Sequence, residues 1–225
     1  LRTWAIGQAA QLKAQMEYLA TISRDGKWPD YARLDCAACH HPLTVPTLSW
    51  RLKQDKKGRA PGQPPFNTAQ HAVFRHLVRA AAPSDFAALD RAVGGVNATL
   101  SSTAPGRGAT TLAATRAAGV ATGVLDRMKS VTYDATFARK LMLEVGRDAD
   151  AIANQGPRAA LQAVWAVDLM ARVPHGTPGP LPPELKGLMT DLYRQADLVS
   201  EYSAQNFADQ LRRLVAWAEH TSRKR

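Results

Sequence analysis

Three observations predict an all-α fold, a multi-helix bundle with a loop-rich segment near the N-terminus. Alanine, leucine and arginine are abundant while isoleucine and aromatic residues are sparse, a bias that favours helix over sheet. Apolar residues recur at three- and four-residue spacing along most of the 225-residue chain. No run alternates apolar and polar residues as a half-buried strand would.

The first helix is LRTWAIGQAAQLKAQMEYLATIS, with Ala5, Ala9, Leu12, Met16, Leu19 and Ala20 on one stripe. Asp25-Gly26 and Trp28-Pro29 end it. Residues 31–50 read as a short helix followed by a loop through Pro42 and Pro46, and a basic Pro/Gly-rich loop, DKKGRAPGQPP, comes next. Asn67 or Thr68 can cap the following helix, TAQHAVFRHLVRAAA, whose stripe is Val73, Phe74, Leu77, Val78 and Ala81. Ser84-Asp85 opens another helix to about Val96, and SSTAPGRGAT (101–110) reads as a linker. Five more helices are expected near 110–131, 133–154, 157–173, 183–202 and 204–221, punctuated by Gly156-Pro157 and PHGTPGPLPP.

The length is enough to bury a core in one large domain or two small ones. The formal net charge is +10, concentrated locally at RLKQDKKGR (51–59) and at the terminal SRKR. Such a surface is either simply solvated or steers the chain towards an acidic partner. Nucleic acid is disfavoured as that partner, because no known nucleic-acid module is present. No apolar run approaches the ~20 residues a membrane-spanning helix needs. The chain opens at Leu1 with neither an initiator methionine nor a signal peptide, and reads as a processed or excised piece.

The two cysteines of the chain lie three apart in LDCAACHHPL, with a histidine directly after the second. In a C-x-x-C-H string each thiol can add across one vinyl group of a porphyrin, and the two intervening residues space the sulfurs to reach both vinyls. The histidine that follows then lies under the ring and gives its imidazole to the iron. Cys36, Cys39 and His40 fit this pattern without gaps, and Ala37 and Ala38 are too small to obstruct the porphyrin edge. The expected cofactor is therefore one covalent haem c. A redox dithiol would want a βαβ context, which is missing here. A zinc site could use Cys36 and Cys39 with His71 and His76, yet five residues of helix set these histidines about 140° apart. Zinc nonetheless stays open as a non-haem alternative.

The surroundings add a resemblance. WPDYARLDCAACHHPLTVPTLSW resembles haem-binding segments of bacterial multihaem c-type cytochromes, in which C-x-x-C-H-H-x-L follows a Trp-Pro element and precedes a tryptophan-basic pair. Those features here are Trp28-Pro29, Cys36 to Leu43, and Trp50-Arg51. The likeness covers about residues 1–80, and this chain has one attachment motif where such cytochromes have several. It implies either further haem segments upstream of Leu1 or a monohaem derivative. On this basis residues 1–100 form a haem-binding helical region and 101–225 a helical bundle region, which together could be one continuous domain. The expected activity is single-electron transfer outside the cytoplasm, in the periplasm or an equivalent compartment, with a redox partner protein that is acidic or carries haem itself.

The second axial ligand decides between electron transfer and an open site for an enzyme or small-ligand sensor. His41 directly follows the proximal residue and cannot reach the opposite face of the same ring. His71 lies on the margin of its helix's apolar stripe, about 60° from Phe74, and is the first choice. A ligand from outside the chain ranks next, then His175 and Met16. His76 falls on the opposite, polar face and is expected to be solvated, and His220 is near a frayed end. Met128, Met142, Met170 and Met189 fit apolar stripes, where methionine is usually plain core. Trp28, Tyr31 and Trp50 bracket the motif and either line the porphyrin or pack in the core. Beyond residue 100 no catalytic motif is present. Asp148 and Asp150 read as helix-surface charges. Leu161, Val164, Trp165, Leu169 and Met170, and likewise Phe207, Leu211, Leu214, Val215 and Trp217, read as bundle core.

Overall fold

The computed structural model describes residues 1–35, 66–102, 104–173, 180–198 and 201–223. Among these the protein is all-helical, with nine α-helices and no strand. They are α1 (Arg2–Asp25), α2 (Ala69–Ala81), α3 (Pro83–Leu100), α4 (Arg107–Met128), α5 (Ala135–Arg147), α6 (Ala149–Ala153), α7 (Pro157–Arg172), α8 (Pro183–Asp197) and α9 (Ala204–Arg223). No helix among the described residues is long and apolar enough to cross a membrane.

The chain divides into two compact units. The first holds Leu1–Ala10, Ala69–Phe86 and Gly123–Arg225, and the second Gln11–Thr68 and Ala87–Thr122. In the first unit α7 packs against α2, α5, α6 and α8, while α9 packs against α5, α6 and α8. Pro157 starts α7, where its missing N–H removes no helical bond, and Gly156 before it has φ 101°, a conformation that favours glycine. Alanines with Val164, Val167 and Met170 supply the buried face of α7, and Phe74, Leu141, Ile152, Leu185 and Phe207 are buried on the helices of the same unit. The α7–α8 contact also carries polar links. The Tyr193 hydroxyl donates to Asp168 at 3.2 Å, beside the Arg172–Asp168 ion pair. Burial, with the Asp168 carboxylate acting in the same direction, pushes the Tyr193 phenol up to about 12.

The second unit takes the larger parts of α1, α3 and α4. The α1 stripe read from the sequence is buried at every position from Ala5 to Ala20, and α3 buries Leu89, Val93, Val96 and Leu100. From α4 the buried residues of this unit are Thr110, Ala114, Ala117, Ala118 and Ala121. Small side chains on a helix let neighbouring backbones approach closely.

Several expectations need correction. The helix expected over 133–154 is two, because the chain breaks its helical path at Asp148, between α5 and α6. The helix expected to reach 202 ends at Asp197. His76, expected in solvent, is 2% exposed. The reason is that α2 packs against both α5 and α7, so its buried arc extends beyond a single stripe to Ala72, Val73, Phe74, His76, Leu77 and Val78. Trp165, expected in the core, is 47% exposed. Val164 and Met170 do face inward, but Leu161 and Leu169 are only half-buried on the Trp165 side of α7.

Candidate functional site

The residues leading to the cysteine motif are fixed by a chain of polar contacts. At the end of α1 the last carbonyls have no helical partner and carry the negative end of the helix dipole. Arg107, the first residue of α4, serves them. Its Nη1 donates to the carbonyls of Ser23 (3.1 Å), Arg24 (3.0 Å) and Gly26 (3.0 Å). The Ser23 and Thr111 hydroxyls meet at 2.8 Å. Trp28 follows, and its indole Nε1–H donates to the Pro105 carbonyl at 2.6 Å.

Asp30 then caps a short 3-10 turn, Tyr31–Arg33. One of its carboxylate oxygens accepts from the Ala32 N–H at 3.1 Å, and the other pairs with Arg33 Nε at 3.0 Å. An aspartate that bonds its own backbone two residues on is a common turn device. The Arg33 guanidinium also lies 4.8 Å from the centre of the Tyr18 ring, a cation–π arrangement that ties the turn to α1. Leu34 pairs with Phe66 in an isolated antiparallel bridge, reinforced by the Asn67 N–H donating to the Arg33 carbonyl at 3.0 Å. Phe66 is buried. The chain therefore leaves the described residues after Asp35 and re-enters at the same place.

Cys36, Cys39, His40 and His41 lie outside the described residues, as do Trp50, the basic stretch 51–59 and His175. Of the first-choice iron ligands, His40 and His71, only His71 is described. It occupies the first turn of α2, half-buried, with its Nε2 enclosed. Met16 is core on α1, and Met128, Met142, Met170 and Met189 are also buried. His220 is exposed on α9. Of the aromatic residues expected to bracket the motif, Trp28 is half-buried on its Pro105 bond and Tyr31 is 68% exposed. Among the described residues no group of three His, Cys, Asp or Glu side chains could hold a metal ion.

A second polar constellation was not anticipated. His76 Nε2 lies 2.9 Å from Asp148 Oδ2, and Arg75 Nη1 is 3.8 Å from the same oxygen. Burial holds the His76 imidazole below the usual histidine range, and Arg75 and Arg79 act in the same direction against Asp148. Asp150, on α6, pairs with Arg212 of α9 at 2.8 Å. The Asp30 turn was legible in principle, as an aspartate just after Trp-Pro and before a short polar run. Arg107 and the His76–Asp148 pair were not, because their partners lie tens of residues away in sequence. Comparison with known protein families, characterised proteins and solved structures found no match to this chain.

Proposed function

We propose that this chain is a c-type cytochrome carrying one covalent haem and passing single electrons, related to the multihaem c-type cytochromes its N-terminal third resembles. The observation that carries the reading is the string Cys36-Ala37-Ala38-Cys39-His40, which uses both cysteines of the chain. In this reading Cys36 and Cys39 form the thioethers, His40 is the proximal ligand and His71 the preferred second ligand. The donor set suits the group, since two thiols at vinyl spacing and an adjoining imidazole are what covalent haem requires. The haem iron would supply the one-electron chemistry, and the protein's part is to fix the ligands and the approach of a partner. Support also comes from the anchored stem, because Arg107, Trp28, Asp30 and the Leu34–Phe66 bridge hold both ends of the motif-bearing stretch. The net charge of +10 favours an acidic redox partner, and thioether formation implies an extracytoplasmic location.

The test is to purify the protein from a host that matures c-type haem and to record oxidised and reduced spectra. A c-type band that survives acid-acetone extraction, and is lost in the Cys36→Ser/Cys39→Ser variant, is the expected result. A colourless protein with stoichiometric zinc would overturn the reading. The variant His71→Ala is expected to convert low-spin iron to high-spin, and an unchanged spectrum would reject His71 as ligand while leaving the haem assignment intact.

A further inference from the structure

His76 is almost wholly buried on α2, yet its only hydrogen bond among the described residues goes to a side chain with another available role. Asp148 is the single residue between α5 and α6, and it stands at the N-cap of α6. Aspartate at an N-cap normally accepts from the first free N–H groups of its helix. The Asp148 side chain makes no such cap bond, and its carboxylate instead turns to His76 at 2.9 Å and Arg75 at 3.8 Å. The other ring nitrogen of His76, Nδ1, is buried and has no hydrogen-bond partner among the described residues.

These facts define what protonation would do. A neutral ring can donate from Nε2 to Asp148 and leave a lone pair at Nδ1. A protonated ring would carry a second N–H into an enclosed space without an acceptor, which costs the full desolvation of that donor. The surrounding charges divide, with the Asp148 carboxylate favouring a protonated ring and Arg75 and Arg79 opposing it. Arg75 and Arg79 come from α2 itself, and both guanidinium groups lie over the Phe86 ring. From α5 come Glu144, which is 4.0 Å from Arg79 and 2.8 Å from Arg147, and from the α5–α6 junction comes Asp148. The buried residues of α7, the other helix packed on α2, carry no titratable group. Two arginines and one carboxylate thus act on His76 before it takes up any charge.

We propose that His76 and Asp148 form an acid-sensitive latch. With His76 neutral, the latch holds α2 against the α5–α6 junction. When His76 is protonated, α2 opens from that junction, the imidazole reaches water and Asp148 is released to cap α6. In the opened state the ring titrates near the ordinary value of about 6.5. The closed state is therefore fully favoured above that pH, and its advantage falls as the pH drops below it, by up to about tenfold per pH unit.

Hydrogen–deuterium exchange of the full-length protein between pH 7.5 and 5.5, corrected for the intrinsic exchange rate, tests this. The opening equilibrium for amides in α2 and at 147–150 is expected to rise about tenfold from pH 7.5 to 5.5 in the wild type, most of it below pH 6.5, and to stay constant in His76→Gln, which keeps a donor for Asp148. Equal pH dependence in the two proteins, or stronger protection in acid, would overturn the latch. Should the variant fail to fold, the ring signal of His76 in the wild type decides. Titration of the ring at any pH without opening of α2 refutes the proposal, and absence of titration until α2 opens supports it.

Discussion

Gly146 offers the sharpest test of the packing between α5 and α9. A Cβ at this position would lie 2.8 Å from Cβ of Val215 and 3.0 Å from its Cγ1, and closer still to its Cγ2. Carbon atoms settle at about 3.5–4.0 Å, so Gly146→Ala requires the two helices to separate by roughly 1 Å. Val215 cannot swing aside, because a β-branched residue in a helix has one strongly preferred rotamer. Alanine gains up to ~1 kcal/mol over glycine in helix propensity, whereas overpacking of this kind costs about 1–3 kcal/mol. The close approach is to the β-branched carbons themselves, so the steric term wins, and the expected net loss is up to about 2 kcal/mol. Val215→Ala alone removes two methyl groups from a buried site and should cost about 1.5–2 kcal/mol. In the double variant both Cγ contacts are gone and only the 2.8 Å approach to the Cβ that alanine keeps remains, so the combined loss should fall short of the sum by about 1 kcal/mol. Urea unfolding of the wild type, both single variants and the double variant, followed by far-UV circular dichroism, measures this coupling. Additivity to within ~0.5 kcal/mol, or a stabilised Gly146→Ala, would refute the close approach of these helices.

Two further outcomes follow from polar contacts. Arg107→Ala should cost about 1 kcal/mol, a modest figure because the guanidinium is exposed, and should speed hydrogen exchange in the last turn of α1 while leaving α9 unchanged. A uniform change across the chain would count against the capping role. Tyr202 donates its hydroxyl to the Ala153 carbonyl at 2.7 Å, and Tyr202→Phe should lose about 1–2 kcal/mol near neutral pH. Burial pushes the Tyr202 phenol well above its ordinary value. Its contribution is therefore complete below about pH 10 and is lost as the pH rises towards the folded-state value. Alkaline unfolding should accordingly be less steep in the Phe variant, and identical pH profiles would contradict this assignment.

What the sequence disclosed depended on how local each cause was. The α1 stripe was legible because one face of one helix decides it, and Ala5, Ala9, Leu12, Met16, Leu19 and Ala20 are all buried. The same holds for Phe207, Leu211, Leu214 and Val215 on α9. His76 was misplaced because α2 contacts two other helices, and a single-stripe reading gives a helix only one inner face. Trp165 was misplaced for the opposite reason. Its helix buries alanines and leaves the large ring outside, so side-chain size misled where position decided. Asp148 looked like surface charge because its partner is 72 residues away. At the candidate site, the proposed chemistry of Cys36, Cys39 and His40 was read from their spacing, and these residues lie outside the described ones. The stem that leads to them was not, because the Trp28 and Arg107 contacts reach across 77 and up to 84 residues.

The Arg107 clamp has a consequence for the order of events during synthesis. The guanidinium that closes the end of α1 belongs to a residue 71 positions after Cys36. At about 5–20 residues per second, the motif emerges some 4–14 seconds before its stem can be secured. Through that interval the last carbonyls of α1 lack the donor that Arg107 will supply. Completion of the α1–α4 clamp then marks the moment when the end of α1 and the Trp28 turn beyond it become fixed, so the order of folding is written into the distance between two helices along the chain.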